Sequence, residues 1–179
     1  MEDTRFISGL TKLESYDLSL DVWLYHHQLD ELVSLVDGFP EVTFILNHIG
    51  GLIGVGPYGA NRGNTLAIWK FNLRKLAERP NVFLKVGGMG MPVFGFGFEN
   101  KPHPAASAAL AEVWRPLIDI CISAFGTQRC MFESNYPVDR QASRYVEIWN
   151  AFKKATRSLS HSEREDLFFG TACRAYRLT

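Results

Sequence analysis

His48 is the side chain whose type and setting most directly suggest chemistry. It closes the apolar run Val42–His48 (VTFILNH) and is followed at once by Ile49-Gly50-Gly51. A neutral imidazole at a strand end takes a proton from water or substrate, or polarises a carbonyl, and the two missing side chains would leave room for a substrate. A hydrogen-bonded core histidine accounts for the same residue equally well. Glu133 and Asn135 stand two apart in Phe132-Glu133-Ser134-Asn135-Tyr136-Pro137-Val138-Asp139. Glu133 can serve as a base where burial raises its pKa, although a Lys85 neighbour opposes that shift. The other reading, an ion pair with Lys85 in the interior, is preferred. Asn135 does not ionise, so it holds a water or substrate oxygen rather than moving a proton. Asp139 is expected beyond the strand as a helix cap.

Three further segments carry weaker signals. In Tyr25-His26-His27-Gln28 one histidine could enter a site while the other starts a helix. Adjacent histidines chelate one ion less readily than an i, i+4 pair, and His27 is read as a solvated helix start. The glycine-rich, apolar run Gly87–Phe98 suits a mobile lid or an apolar wall, and ordinary packing or a subunit interface suits it as well. GGLIGVGPYG, beginning at Gly50, invites a phosphate-loop reading, but no GK[ST] follows.

Strands and helices in alternation must position these groups. Leu18–Tyr25, Val42–His48, Val82–Val86 and Cys130–Asn135 read as strands. Apolar residues at 29, 32, 33, 35 and 36 place a helix over Gln28–Phe39, and those at 66, 69, 73, 76 and 77 place one from an Asn64 cap to Arg79. A helix over Ala105–Phe125 stops at Gly126, another covers Tyr145–Arg157, and Ser160-x-x-Glu163 opens the last with a capping box. Crossovers this long mean parallel pairing and an α/β fold. The loops after the strands are long and polar or glycine-rich, as expected where function sits at the C-terminal strand ends.

Strand alternation sorts the side chains. Asp21, Trp23 and Tyr25 share one face of the first strand; Phe44, Leu46 and His48 share one face of the second. Lys85 opposes Val82, Leu84 and Val86, and Glu133 and Asn135 go with Met131. A doubly wound sheet, buried on both faces, should be apolar throughout. Mid-strand Asp21, Lys85 and Glu133 break that rule, whereas a barrel interior accepts such groups when they pair. A barrel with Asp21, Lys85, Glu133, Asn135 and His48 turned toward one axis is therefore expected.

Lys plus Arg equal Asp plus Glu at 19 each, which gives no reason to expect nucleic acid or an anionic membrane as a partner. No apolar run approaches the roughly 20 residues of a membrane span, and Met1-Glu2-Asp3-Thr4-Arg5 lacks a secretory leader's pattern, so the cytoplasm is the expected compartment. Three cysteines without CxxC spacing point to reduced thiols near a core. With no repeat and no linker tract, residues 1–179 read as one domain.

Asn47-His48-Ile49-Gly50-Gly51, Lys85, Phe132-Glu133-Ser134-Asn135-Tyr136-Pro137 and the closing Phe169-Gly170-Thr171-Ala172-Cys173-Arg174-Ala175-Tyr176-Arg177-Leu178 together resemble the amidohydrolase-related (amidohydrolase 2) family. The resemblance implies strands five to eight of a (β/α)8 TIM barrel, and a hydrolase of small cyclic esters (lactones) or amides, with a decarboxylase as the alternative within the family. His48 matches the strand-six histidine that activates substrate or water. His26 stands near a strand-five histidine that ligates a divalent metal, zinc or manganese, in metal-containing members. Asn135 stands where an aspartate is common, so a ligand and a base are lost together and a metal-free hydrolase becomes the alternative. Trp23, Tyr25, Lys85 and Tyr136 are expected to bind substrate. The family's His-x-His is absent and a whole barrel needs about 250 residues. The chain is therefore expected to be a fragment inactive alone, or a non-catalytic remnant or interaction module, with unpaired edges that favour a homo-oligomer.

Overall fold

The four apolar runs become short strands: β1 (Ser19–Val22), β2 (Thr43–Leu46), β3 (Val82–Val86) and β4 (Cys130–Phe132). The structure, a computed structural model, describes residues 3–178; Met1, Glu2 and Thr179, at the ends of the expected domain, lie outside the described residues. All pairings are parallel, in the order β1-β2-β3-β4. Between and around them run α1 (Thr4–Ser15), α2 (Leu29–Asp37), α3 (Arg62–Ala77), α4 (Ser107–Phe125) and α5 (Tyr145–Ala155). The chain finishes with α6 (His161–Glu165), a π-helical turn (Asp166–Gly170) and α7 (Thr171–Tyr176).

Element types match the sequence reading, and the ends differ for physical reasons. β2 stops at Leu46 because His48 and Ile49 take left-handed backbone, φ 54° and 49°. β4 stops at Phe132, and Asn135 turns the chain at φ 49°. Helix α3 begins at Arg62, so Asn61 rather than Asn64 stands at its cap position. The Ser160 capping box forms: the Ser160 hydroxyl accepts from Glu163 N–H at 3.3 Å, and the Glu163 carboxylate accepts from Ser160 N–H at 2.8 Å. Helix α1 had no counterpart in the sequence reading. Its apolar stripe is narrow, with Leu10 its one buried residue, and Gly9 interrupts it.

The two faces of the sheet are unlike. Phe44, Leu46, Val82, Leu84, Val86, Cys130 and Phe132 point to one side, where α1 to α5 bury Leu10, Leu32, Trp69, Ile118 and Phe152 in a single core. Ile45, Phe83 and Met131 point to the other, where, among the described residues, the apolar side chains packed on them are Ala172, Ala175 and Tyr176 of α7. A doubly wound sheet would need layers of helix on both faces, so the asymmetry supports the barrel-like reading. Helix α7 crosses this second face like a chord. At one end Thr171 Oγ1 donates to the Thr127 carbonyl at the foot of β4 (2.9 Å), and beyond the other Arg177 pairs with Asp17 ahead of β1 (2.6 Å).

Among the described residues β1 and β4 each pair on one side only. Large apolar side chains stay exposed in the segments before β1 and after β4: Phe6, Tyr16 and Leu18, and Tyr136, Val138, Tyr145, Val146, Phe169 and Leu178. No helix among the described residues is long and apolar enough to cross a membrane. The cysteines are unbridged, and burial pushes the Cys121 and Cys130 thiols well up, so they are inert core groups.

Candidate active site at the strand ends

Simple alternation puts His48 on the Phe44–Leu46 side, among the helices. The left-handed turn at His48 and Ile49 overrides it. That turn is held by the buried Trp69 indole, whose N–H donates to the Ile49 carbonyl at 2.7 Å. The imidazole consequently meets Glu133, with Nδ1 2.5 Å from Oε1, and the His48 backbone N–H reaches the same oxygen at 3.2 Å. A carboxylate only accepts, so the ring proton sits on Nδ1 and the Nε2 lone pair is left for another partner. Both side chains are about one-sixth exposed, at 15% and 16%, so a small molecule can reach them while most water is kept away.

Glycines make this pairing sterically possible. A Cβ on Gly88, which has φ 68°, would lie 2.6 Å from His48 Nδ1, and one on Gly87 would lie 2.4 Å from Glu133 Cγ. Gly50 and Gly51 serve a different purpose from the one expected. A Cβ on Gly51 would sit 2.1 Å from the Leu24 carbonyl oxygen, and one on Gly50 would press on Leu29 and Leu46. Those two glycines admit neighbouring backbone and core, not substrate.

Glu133 does not pair with Lys85, contrary to expectation. Lys85 is level with Met131 in the β3–β4 register, and Glu133 lies beyond the end of β4 beside Gly87. Lys85 instead reaches Asp21 at 2.6 Å, and the Tyr176 hydroxyl donates to the same carboxylate at 2.8 Å. Burial alone would lower the Lys85 pKa; its bonds to Asp21 and Tyr176 outweigh that and leave it raised. Burial foremost drives the Tyr176 phenol up to about 12. Lys85 thus belongs to a closed cluster on the α7 side of the sheet, separate from the His48–Glu133 pair.

Asp139 is the residue that the sequence reading misplaced. It is 1% exposed, not a cap in solvent. Its Oδ2 accepts from Gly90 N–H at 2.9 Å and its Oδ1 from Asn135 Nδ2 at 2.7 Å. Burial raises its pKa to about 6; the bonds from Gly90 and Asn135 and the nearby His48 work against that, and Glu133 adds to it. The i, i+4 spacing of Asn135 and Asp139 was the available signal, because the chain turns back between them and the Asp139 N–H donates to the Asn135 carbonyl at 3.1 Å. The loop after β3 packs rather than standing free: Met89, Phe94 and Phe98 join the main core.

Aromatic rings line the approach to His48. Trp23, 49% exposed, meets the imidazole edge to face at 5.6 Å and meets Tyr25 at the same distance. Tyr25 stacks on His27, and His27 on Tyr58. Tyr136 is exposed and leans on Tyr145 instead. His26 is buried, and burial foremost lowers its pKa, so it is neutral. Its Nδ1 accepts from Ile53 N–H at 3.3 Å, which puts its own proton on Nε2 and leaves no free lone pair for a metal. Among the described residues no three His, Cys, Asp or Glu side chains cluster as a metal site. The side chains present here do not fit a metal centre by themselves.

Comparison with known proteins agrees with the geometry. The model of the amidohydrolase family matches residues 3–178. The chain is 38% identical over 170 residues to protein y4mH of Sinorhizobium fredii, covering 95% of this chain and 50% of that protein. It is 29% identical over 180 residues to L-fucono-1,5-lactonase of Burkholderia multivorans, covering 99% of this chain and 57% of that one. A crystal structure of an amidohydrolase from Burkholderia multivorans with bound zinc superposes with a TM-score of 0.84 at 28% identity, over 99% of this chain and 59% of that one. The chain spans about half the length of the curated relatives it matches.

Proposed function

Because the chain belongs to the amidohydrolase family, we propose that it forms one domain, strands five to eight of a (β/α)8 barrel, and that the whole barrel hydrolyses a small cyclic ester of the sugar-lactone kind. The reading is carried by His48: one ring nitrogen is fixed by Glu133 at 2.5 Å, and the other has no hydrogen-bond partner among the described residues. The similarity to an L-fucono-1,5-lactonase supports the substrate class. The two unpaired strand edges, with apolar side chains exposed in the segments before β1 and after β4, support completion by further strands.

His48 Nε2 takes a proton from a water molecule as its oxygen bonds to the lactone carbonyl carbon. Glu133 holds the imidazole in the productive tautomer and stabilises the imidazolium that forms. As the tetrahedral intermediate collapses, the ring C–O bond breaks and the departing alkoxide takes the proton back from Nε2, giving a hydroxy acid. Trp23 and Tyr25 offer flat faces for the apolar side of a sugar ring. No step is routed through a metal, since the His26 and Asp139 donors are already committed within the chain.

In the complete protein, His48→Ala should lower kcat/KM for sugar lactones by ~10²–10⁴-fold. Unchanged lactone turnover in that variant would refute the assignment. Full turnover by the purified 179-residue chain would refute the need for a second half.

A further inference from the structure

Asp139 is a buried carboxylate that the proposed hydrolysis does not use directly. It is 1% exposed, and among the described residues its carboxylate accepts from two N–H groups of two separate segments: Gly90 after β3 and Asn135 after β4. The approach is close enough that a Cβ on Gly90 would lie 2.8 Å from Asp139 Cγ. A carboxylate accepts and cannot donate, so the Asn135 amide must turn its nitrogen inward. Asn135 Oδ1 is then left without a protein partner among the described residues and is not buried. The loop after β3 sets this amide near the pair: Gly88 packs on the His48 ring and Gly90 on Asp139, and Asn135 follows two residues after Glu133.

We infer that Asp139 is a positioning residue which locks Asn135 so that its carbonyl oxygen serves as the second acceptor for the hydrolytic water. Resting on the lactonase reading above, this assigns both protons of that water. One goes to His48 Nε2, and the other is held by Asn135 Oδ1, which aligns the oxygen lone pair with the carbonyl carbon. The acceptor character also decides what Asn135 does not do. An exposed carbonyl oxygen repels the negative charge developing on the lactone oxygen, so oxyanion stabilisation falls to other donors. Asn135 keeps the φ of 49° that the turn requires, and asparagine tolerates it well.

Steady-state kinetics on the complete protein tests this, with Asp139→Asn, Asn135→Gly (glycine keeps the positive φ) and the double variant. Each single change should lower kcat by ~10–100-fold with KM within about threefold, because alignment rather than binding is lost. The double variant should be no worse than the poorer single one, because both changes break one unit. Effects that multiply, or an Asn135→Gly enzyme with kcat within about twofold of the parent, would overturn the inference. Should Asp139→Asn fail to fold, the Asn135→Gly kinetics still decide the matter. An independent readout is the Asn135 side-chain amide in an ¹⁵N spectrum of the parent protein. One of its protons should be protected from exchange by the Asp139 bond; two freely exchanging protons would also overturn the lock. If His48→Ala leaves lactone turnover intact, the lactonase reading fails by itself, and the amide spectrum still reports on the lock.

Discussion

Two charged clusters on the same sheet use nearly the same residue types to different ends. Below, Asp21, Lys85 and Tyr176 close on one another: the carboxylate accepts from both the ammonium and the phenol, and the Lys85 ammonium also lies 5.3 Å from the Tyr176 ring centre. Above, His48 and Glu133 satisfy each other only halfway, and Nε2 and Asn135 Oδ1 are left over. A cluster whose donors and acceptors all cancel holds strands together. One that ends in unused lone pairs, with glycines clearing space around it, is arranged for a guest.

The sharpest way to break this contrast adds a methyl group and removes no functional group. Gly88→Ala places a Cβ 2.6 Å from His48 Nδ1 at a φ of 68°. The ring must move, and kcat/KM for lactones should fall by ~10²–10³-fold while circular dichroism keeps the parent spectrum. Activity within threefold of the parent would show that the pair tolerates misalignment.

Next in size is the cost of the upper cluster to the fold. The Asp139 pKa in the folded chain, about 6, lies above its ordinary 3.8, so the native state holds the proton more tightly than the unfolded one. That stabilisation is fully present below about pH 4 and is lost as pH rises through about 6. Relative to Asp139→Asn, the parent should therefore lose on the order of 3 kcal/mol between pH 4 and pH 7.5. Urea unfolding of both proteins across that range measures it; a pH-independent difference would mean that the carboxyl is not desolvated as described.

The smallest effect belongs to the lower cluster. Lys85→Met strands Asp21 with the Tyr176 hydroxyl as its remaining partner. Because the two charged side chains are 21% and 36% exposed, water screens the loss, and about 1–2 kcal/mol of stability should go. The lactone KM should stay within about twofold, as suits a residue that binds no substrate. A large KM increase would return Lys85 to the substrate-contacting role expected from sequence.

What could be read in the sequence follows from which forces are local. The strands, the main helices and the Ser160 capping box were legible because periodicity and capping act within a few residues. His48, Glu133 and Asn135 could be singled out by type and by their place at strand ends. Their partners could not. Whether Glu133 meets Lys85 or His48 depends on a register across β3 and β4 and on a left-handed turn fixed by Trp69, which lies 20 residues further along. Asp139 was misplaced for a similar reason: an aspartate ahead of a helical run reads as a cap, and only the fold shows it roofed by Gly90.

The chord formed by α7 has a consequence for assembly. Its six residues run across one face of the sheet from Thr127, ahead of β4, to Tyr176's bond with Asp21 in β1, and so tie the two outer strands together. Any segment that pairs with β1 and β4 therefore meets two borders that α7 already holds apart.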